Sequence, residues 1–203
     1  MFPRAIALCL ALASVGCAGH SARTEAARSA LDAGDTKRAL RLLDEELGAS
    51  SGAELPDDVG GDAALLLLDR AVVLQSLATT NRTQAPKEYA WSSRDLETAD
   101  KQVEILDLSR GAGAEIGKYL FSDDTGAYRA PAYEKLLINT LNLVNYLARG
   151  DLSGARVEAR RLAVMQKFID EHEGHGASLT GPGSYLAGFT FERSGKPEEA
   201  LRF

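Results

Sequence analysis

The 203-residue chain has little of what usually serves nucleic-acid binding. Aromatic residues make up 6% of it, with a single tryptophan, and the 29 acidic residues outnumber the 23 basic ones, which gives a net charge of −6. Proteins that bind a phosphate backbone depend on clustered Lys and Arg. The composition therefore argues against nucleic acid as a partner, and also against direct docking on anionic lipid head groups.

Catalytic motifs are equally scarce. The two histidines of HEGH (residues 172–175) are three positions apart rather than four, so they do not form the HExxH zinc motif, and a solvated loop is favoured. No Gly-x-Ser-x-Gly element is present for a nucleophilic serine. GPGS (residues 181–184) lacks the lysine of a phosphate-binding loop, and the acidic pair at 123–124 fits a turn. The sequence predicts a protein that is not an enzyme and that holds no cofactor or metal.

The alternation of apolar and polar residues that marks β-strands is hard to find. From Glu25 onward, apolar residues recur every three or four positions, as in helices that bury one face. Ala39, Leu43 and Leu47 form one such predicted stripe. A second predicted stripe consists of Leu137, Leu141, Val144 and Ala148. We therefore expect an all-α fold, with Trp91 in its core.

The N-terminus has the pattern of a bacterial export signal. Arg4 supplies a positive charge, residues 5–13 form an apolar run too short to span a bilayer, and small residues precede Cys17. This segment resembles the lipobox of bacterial lipoproteins, which implies a signal peptide at residues 1–16, acylation of Cys17 by palmitate-type chains and stable membrane anchoring. Ser14 departs from the lipobox pattern and leaves open cleavage after Ala13, which would give a secreted or periplasmic soluble protein.

The residues around Cys17 also carry predictions about location and stability. Ala18, rather than Asp, follows Cys17, which favours the outer membrane facing the periplasm. Cys9 would leave with the signal peptide, so the mature chain has no disulfide and depends on packing. Residues 17–24 are predicted to be a lipid-anchored tether, and residues 25–203 a helical domain.

One short pattern occurs three times. Gly34, Gly150 and Gly195 each lie five residues before an alanine, with Asp or Pro in between. Glycine suits the end of a helix and Asp or Pro suits the start of the next. The three segments resemble the turns of tetratricopeptide repeats, in which antiparallel helix pairs stack into a solenoid. A fourth pair, predicted at residues 63–77 and 87–106, lacks the glycine, and an unrelated helical bundle is the alternative.

Three longer segments carry a wider resemblance: SRDLETAD (93–100), YRAPAYE (128–134) and LVNYLARGD (143–151). With them, residues 63–201 resemble an uncharacterised family of bacterial tetratricopeptide-like lipoproteins. The resemblance implies an envelope lipoprotein, with no established activity to transfer. Members are usually longer, so the chain is expected to be either a fragment or a shortened variant. Its last helix, which reaches Phe203 after barely one turn, is expected to fray.

Polar residues of the predicted pair at 132–169 form a candidate peptide-binding site: Lys135, Asn139, Asn142, Asn145, Arg156 and Arg160. By helical spacing, the asparagines share one side of the first helix, and the arginines share one side of the second. Tetratricopeptide domains that clamp a peptide carboxylate use Lys, Asn and Arg, and the similarity here is one of residue type. A solvated polar face is the alternative.

These observations favour one functional hypothesis, a non-catalytic envelope scaffold that binds an unknown protein or peptide. One alternative is a structural component of an envelope export or polymer-secretion machine. The other is a cryptic hydrolase or carbohydrate-binding module, whose carboxylates or aromatic residues would come from the loops at 108–131 and 171–183.

Overall fold

The computed structural model describes residues 19–60, 63–110, 132–172 and 181–203. Within these ranges the chain is helical, without strands, which confirms the all-α prediction. The helices are α1 (His20–Asp32), α2 (Thr36–Leu47), α3 (Ala63–Thr80), α4 (Ala85–Arg110), α5 (Ala132–Ala148), α6 (Leu152–His172), α7 (Gly181–Arg193) and α8 (Pro197–Ala200). The predicted signal peptide, Cys9 and Cys17 lie outside the described residues.

Three helix pairs are closed by the same turn. Gly34, Gly150 and Gly195 have φ of 77°, 74° and 71°, in the left-handed region that favours glycine. In each turn the glycine N–H donates to the carbonyl three residues back, and the next N–H donates to the carbonyl five residues back, at 2.9 to 3.0 Å. This is the Schellman arrangement. The repeated sequence pattern therefore produces a repeated geometry.

The second helix of each pair starts as its sequence predicts. The carboxylates of Asp35 and Asp151 accept the N–H three residues later, at 3.0 and 2.9 Å, so they cap α2 and α6. Pro197 occupies the first turn of α8, where a backbone N–H would have no acceptor within the helix, so the missing N–H of proline costs no hydrogen bond. Ala39 and Ala155, five residues after their glycines, are completely buried.

Several helices are longer than their sequence predicts. α3 ends at Thr80 and α4 begins at Ala85, so only residues 81–84 connect them, although residues 78–86 are rich in turn formers. Pro86 is accommodated because it lies in the first turn of α4. α1 begins at His20, which makes most of the described part of the predicted tether helical. Its Thr24 is buried, so packing extends the helix towards the N-terminus.

Helices pack in chain order, and the first helices of consecutive pairs also touch, α1 with α3 and α5 with α7. One apolar cluster lies within α1 to α4, around Leu43 and Leu67. A second lies within α5 to α7, around Leu143 and Phe191. A small cluster that includes Ile138 joins the two halves. The predicted α2 stripe, Ala39, Leu43 and Leu47, is buried as expected, whereas Trp91 is only half-buried.

The prediction that α5 buries the stripe of Leu137, Leu141, Val144 and Ala148 is wrong. Leu137 is 49% exposed, Ala148 is exposed, and Leu141 and Val144 are only half-buried. The buried side of α5 is the opposite one, which carries Leu143 together with the three asparagines. α5 packs against α4, α6 and α7, and side chains of α4 and α6 supply hydrogen bonds that make burial of the asparagines tolerable.

Within the described ranges, α3 is the one helix that is long and apolar enough to cross a membrane. Half of it is buried inside the protein, and Arg70 near its middle is completely buried in ion pairs with neighbouring helices. Such surroundings are those of a core helix.

Candidate functional site

A buried ion network connects α2, α3 and α4. Two nitrogens of the Arg70 guanidinium donate to the two carboxylate oxygens of Asp95, at 2.7 and 3.0 Å. Its third nitrogen donates to Asp44 at 3.0 Å, and the carbonyl of Glu54 accepts a further bond at 2.9 Å. Burial raises the pKa of Asp44 although Arg70 opposes the rise. Every nitrogen of the guanidinium is bonded within the fold, so this network is structural.

The three asparagines of α5 form a second polar arrangement, which we call the asparagine seam (Asn139, Asn142 and Asn145). Their exposures are 3%, 2% and 0%. Asn145 donates to the hydroxyl of Ser92 on α4 at 2.9 Å and accepts from Gln75 on α3 at 2.7 Å. The side chain of Asn145 therefore ties α5 to both helices of the preceding pair.

The middle of the seam centres on Glu97 of α4. One oxygen of its carboxylate accepts a hydrogen bond from the hydroxyl of Tyr146 at 2.8 Å. The same oxygen accepts a longer hydrogen bond from the side-chain amide of Asn142 at 3.4 Å. The other polar atom of Asn142, Oδ1, is buried and has no hydrogen-bond partner. Burial and the bond to Glu97 raise the pKa of Tyr146 to about 12.

The end of the seam reaches α6. Asn139 donates to the carboxylate of Glu158 at 3.1 Å, and Glu158 is itself almost completely buried. Arg161 bonds Glu158 at 3.4 Å and Asp100 on α4 at 2.6 Å. Burial raises the pKa of Glu158, against the lowering effect of Arg161. This cluster joins α4, α5 and α6.

The six candidate peptide-binding residues consequently lie in different places. The asparagines are inside helix interfaces, so the solvated-face alternative is wrong for them. Lys135 is half-buried, and Arg156 donates to Ser194 of the following pair at 3.2 Å. Arg160 is exposed on α6. Two of the six, Asn139 and Arg160, line the same hollow.

The exposed side of α6 has a composition unusual for a solvated helix face. Val157, Val164 and Phe168 are 53%, 70% and 53% exposed. They follow one another at intervals of seven and four residues, so they lie along one side of the helix. Basic residues flank them. We call this face the α6 ridge, which consists of Val157, Arg160, Arg161, Val164, Lys167 and Phe168.

A hollow lies on each side of the ridge. The hollow towards α4 and α5 has a volume of about 390 Å³ and contains Asn139 and Met165 in its wall. The hollow towards α7 and the C-terminal residues has a volume of about 770 Å³, with Phe191 among its lining residues. Arg160 and Val164 border both hollows. A partner that contacted these two side chains would therefore have a recess on either side, lined by both apolar and charged residues.

Sequence reasoning missed the α6 ridge, although the signal was present. Val157, Val164 and Phe168 have helical spacing, yet the same spacing usually marks a core stripe. The core side of α6 is instead the opposite one, which carries Ala155, Ala159, Leu162 and Ile169.

Clusters of metal-ligating side chains are absent from the part of the chain that the structure describes. There, no three side chains of His, Cys, Asp or Glu are grouped so that they could hold a metal ion. The side chains of the HEGH motif at 172 to 175 and the acidic pair at 123–124 lie outside the described residues.

Comparisons of the chain with protein-family models, with curated proteins and with solved structures find no match.

Proposed function

We propose that this protein is a non-catalytic scaffold of the bacterial envelope, made of tetratricopeptide-like helix pairs, tethered through an acylated Cys17, and binding a partner protein on the α6 ridge. The observation that carries the binding role is the exposure of Val157, Val164 and Phe168 between two hollows. Exposed apolar side chains grouped on one surface usually mark an interaction site.

The repeat-like arrangement is supported by the shared turn at Gly34, Gly150 and Gly195. It is further supported by the packing of first helices on one another, α1 with α3 and α5 with α7. Stacked helix pairs are a recurrent architecture for binding protein partners, because each pair adds surface without disturbing the others.

The non-catalytic role is supported by what the buried ionisable groups do. Arg70, Asp95 and Glu158 bind groups of other helices and lie inside the fold. Their interactions stabilise helix packing. Of these polar groups and their partners, Asn139, Asp100 and Arg161 line a hollow.

Site-specific photo-crosslinking in the native host tests the binding role. Full-length chain with p-benzoylphenylalanine in place of Val164 should form a covalent adduct with a protein, because this side chain is the most exposed apolar residue of the ridge. The matched control places the same group at Glu45, an exposed residue of α2. Absence of an adduct from position 164, or equal adducts from both positions, would contradict the proposal.

The anchor is tested separately. Mass spectrometry of the mature N-terminus should show acyl chains on Cys17, and the Cys17→Ser variant should move from the membrane fraction to the soluble fraction. A mature N-terminus at Ser14, after cleavage behind Ala13, would indicate a secreted protein instead.

A further inference from the structure

We infer that the occupant of the α6 ridge is an acidic amphipathic helix of a partner protein. This inference rests on the proposed binding role of the ridge and specifies the chemistry of the partner. Three features of the ridge support it, namely its local charge, the loose pairing of its basic side chains and the spacing of its apolar residues.

Basic side chains that line the ridge and its hollows outnumber the acidic ones by one, although the chain as a whole carries a net charge of −6. Four basic side chains line this surface: Arg160, Arg161, Lys167 and Arg202. Three acidic side chains line it: Asp100, Glu171 and Glu199. The side chains of Arg160 and Lys167 are 56% and 78% exposed, and those of Glu199 and Glu171 are 31% and 58% exposed. Asp100 is 11% exposed and already bound to Arg161. The basic side chains are therefore the more accessible ones, which favours a partner with carboxylates.

Two of the basic side chains, Arg160 and Lys167, can be redirected at small cost, whereas Arg161 is held by Asp100 at 2.6 Å. Arg160 reaches Glu199 only at 3.4 Å, while Lys196 holds the same carboxylate at 2.6 Å. Arg160 can therefore turn to a partner carboxylate without leaving Glu199 unpaired. Lys167 lies 3.9 Å from Glu171 on an exposed surface, where an ion pair is worth little.

The apolar residues have the spacing of a helix-binding surface. At a rise of about 1.5 Å per residue, Val157 and Val164 are separated by roughly 10 Å along α6, and Val164 and Phe168 by roughly 6 Å. A helix with apolar residues at intervals of three, four and seven presents side chains at matching distances. The hollows on both sides of Val164 can receive them, as the grooves of one packed helix receive the side chains of another.

An anionic membrane surface would also be attracted to basic side chains, but it fits this face less well. Glu171 and Glu199 lie among the basic residues, and the remainder of the chain is acidic, so a flat anionic surface would be repelled at most other points. A narrow acidic helix can contact the ridge alone.

A designed peptide provides the probe. It is a fluorescein-labelled helix of about 21 residues, with Leu at the apolar heptad positions and Glu on the polar face, titrated into the full-length protein by fluorescence anisotropy. Matched peptides replace every Glu by Lys, or place a Pro at the centre to break the helix. We expect the Glu helix to bind at least about tenfold more tightly than either control, and its affinity to fall as NaCl rises from about 50 to about 300 mM.

Substitutions place the binding on the ridge. Arg160→Glu and Val164→Asp change exposed side chains, so the fold should survive, as checked by circular dichroism. Each should weaken the Glu helix by about tenfold or more, because one reverses a charge and the other removes an apolar contact. Arg41→Glu, an exposed charge reversal on α2, is the control and should leave binding unchanged. Unchanged affinity in both ridge variants, or equal binding of the Lys peptide, would overturn the inference.

The native partner gives a second and independent result. Sequencing of the segment crosslinked to position 164 should yield an acidic amphipathic helix. A basic or neutral protein segment would overturn this inference while leaving the proposed scaffold role intact, whereas loss of every protein adduct would overturn the scaffold role. Vesicles containing phosphatidylglycerol should not bind the unacylated Cys17→Ser chain, and vesicle binding abolished by Arg160→Glu would assign the ridge to lipid instead.

Discussion

Asn145 on α5 donates its amide N–H to the hydroxyl of Ser92 on α4 at 2.9 Å, and both side chains are completely buried. The side-chain oxygen of Asn145, Oδ1, accepts a hydrogen bond from the amide of Gln75 on α3. The contact of α5 with the preceding pair is therefore largely polar at this point, with a small apolar cluster around Ile138 beside it. This pairing lies on the side of α5 that faces inward, together with the buried Leu136, Ile138 and Leu143.

The Asn145→Ala variant should lower the free energy of unfolding by about 1 to 3 kcal/mol, because the buried hydroxyl of Ser92 and the half-buried amide of Gln75 would each lose a partner. The control is Leu137→Asn on the opposite side of α5, which should change stability by no more than about 0.5 kcal/mol. Urea denaturation measures both. The reverse order, with Leu137→Asn the more damaging change, would mean that α5 buries the other face.

Removal of Arg70 should have a larger effect. Arg70→Met leaves the carboxylates of Asp44 and Asp95 buried without their cation, which costs about 3 to 5 kcal/mol. The same substitution at the exposed Arg41 provides the control for loss of an arginine. Thermal and urea denaturation should show a lower transition for Arg70→Met alone. Equal transitions for the two variants would show that the network contributes nothing to stability.

Glu158 should make stability depend on pH. Burial raises the pKa of Glu158 above the ordinary 4.5. Between the ordinary and the raised pKa, the folded protein therefore binds more protons than the unfolded chain. The free energy of unfolding should therefore fall as pH rises from about 4.5 towards neutrality. The glutamine of Glu158→Gln cannot ionise, so the free energy of unfolding of this variant should fall less over the same pH range. Part of the fall should remain, because the pKa values of Asp44 and Glu88 are also raised.

Urea denaturation at a series of pH values measures this difference, with the exposed Glu45→Gln as the control that should follow the wild-type slope. Identical slopes for the wild type and Glu158→Gln would show that the carboxylate of Glu158 is as well stabilised in the folded protein as in water.

The turn glycines give a prediction about backbone strain. Gly150 has φ of 74° and open space where a Cβ would lie, so Gly150→Ala should cost about 1 to 2 kcal/mol through conformation alone. Gly181, at the start of α7, also has open space but no positive φ, and Gly181→Ala should be neutral or slightly stabilising. Urea denaturation distinguishes the two. A neutral Gly150→Ala would indicate that the turn relaxes to another conformation.

The sequence predicts the local features of the fold well. Helical spacing predicts the all-α class and the buried stripe of α2, and the glycine pattern predicts three turns of identical geometry. These features depend on interactions within a few residues. Glycine reaches the left-handed region more easily than other residues, and Asp35 and Asp151 cap the helices that directly follow them.

The candidate site was predicted less well. Arg160 is exposed as a binding residue requires, but the asparagines predicted beside it are inside the protein. Apolar residues of α6 whose spacing is typical of a core stripe form the exposed ridge instead. The burial of Asn145 cannot be derived from the sequence of α5 alone, because its hydrogen-bond partners lie 53 and 70 residues away along the chain. The exposure of the α6 residues likewise depends on how the other helices pack.

The sequence by itself determined the helical class and the three glycine turns, because each depends on residue types that are neighbours in the chain. The export signal around Cys17 stays a prediction. Only the tertiary structure decided which faces of α5 and α6 are buried. A polar side chain is buried when other helices satisfy its hydrogen bonds, and an apolar one is buried only where the packing of the helices encloses it. Both conditions depend on residues brought together by folding.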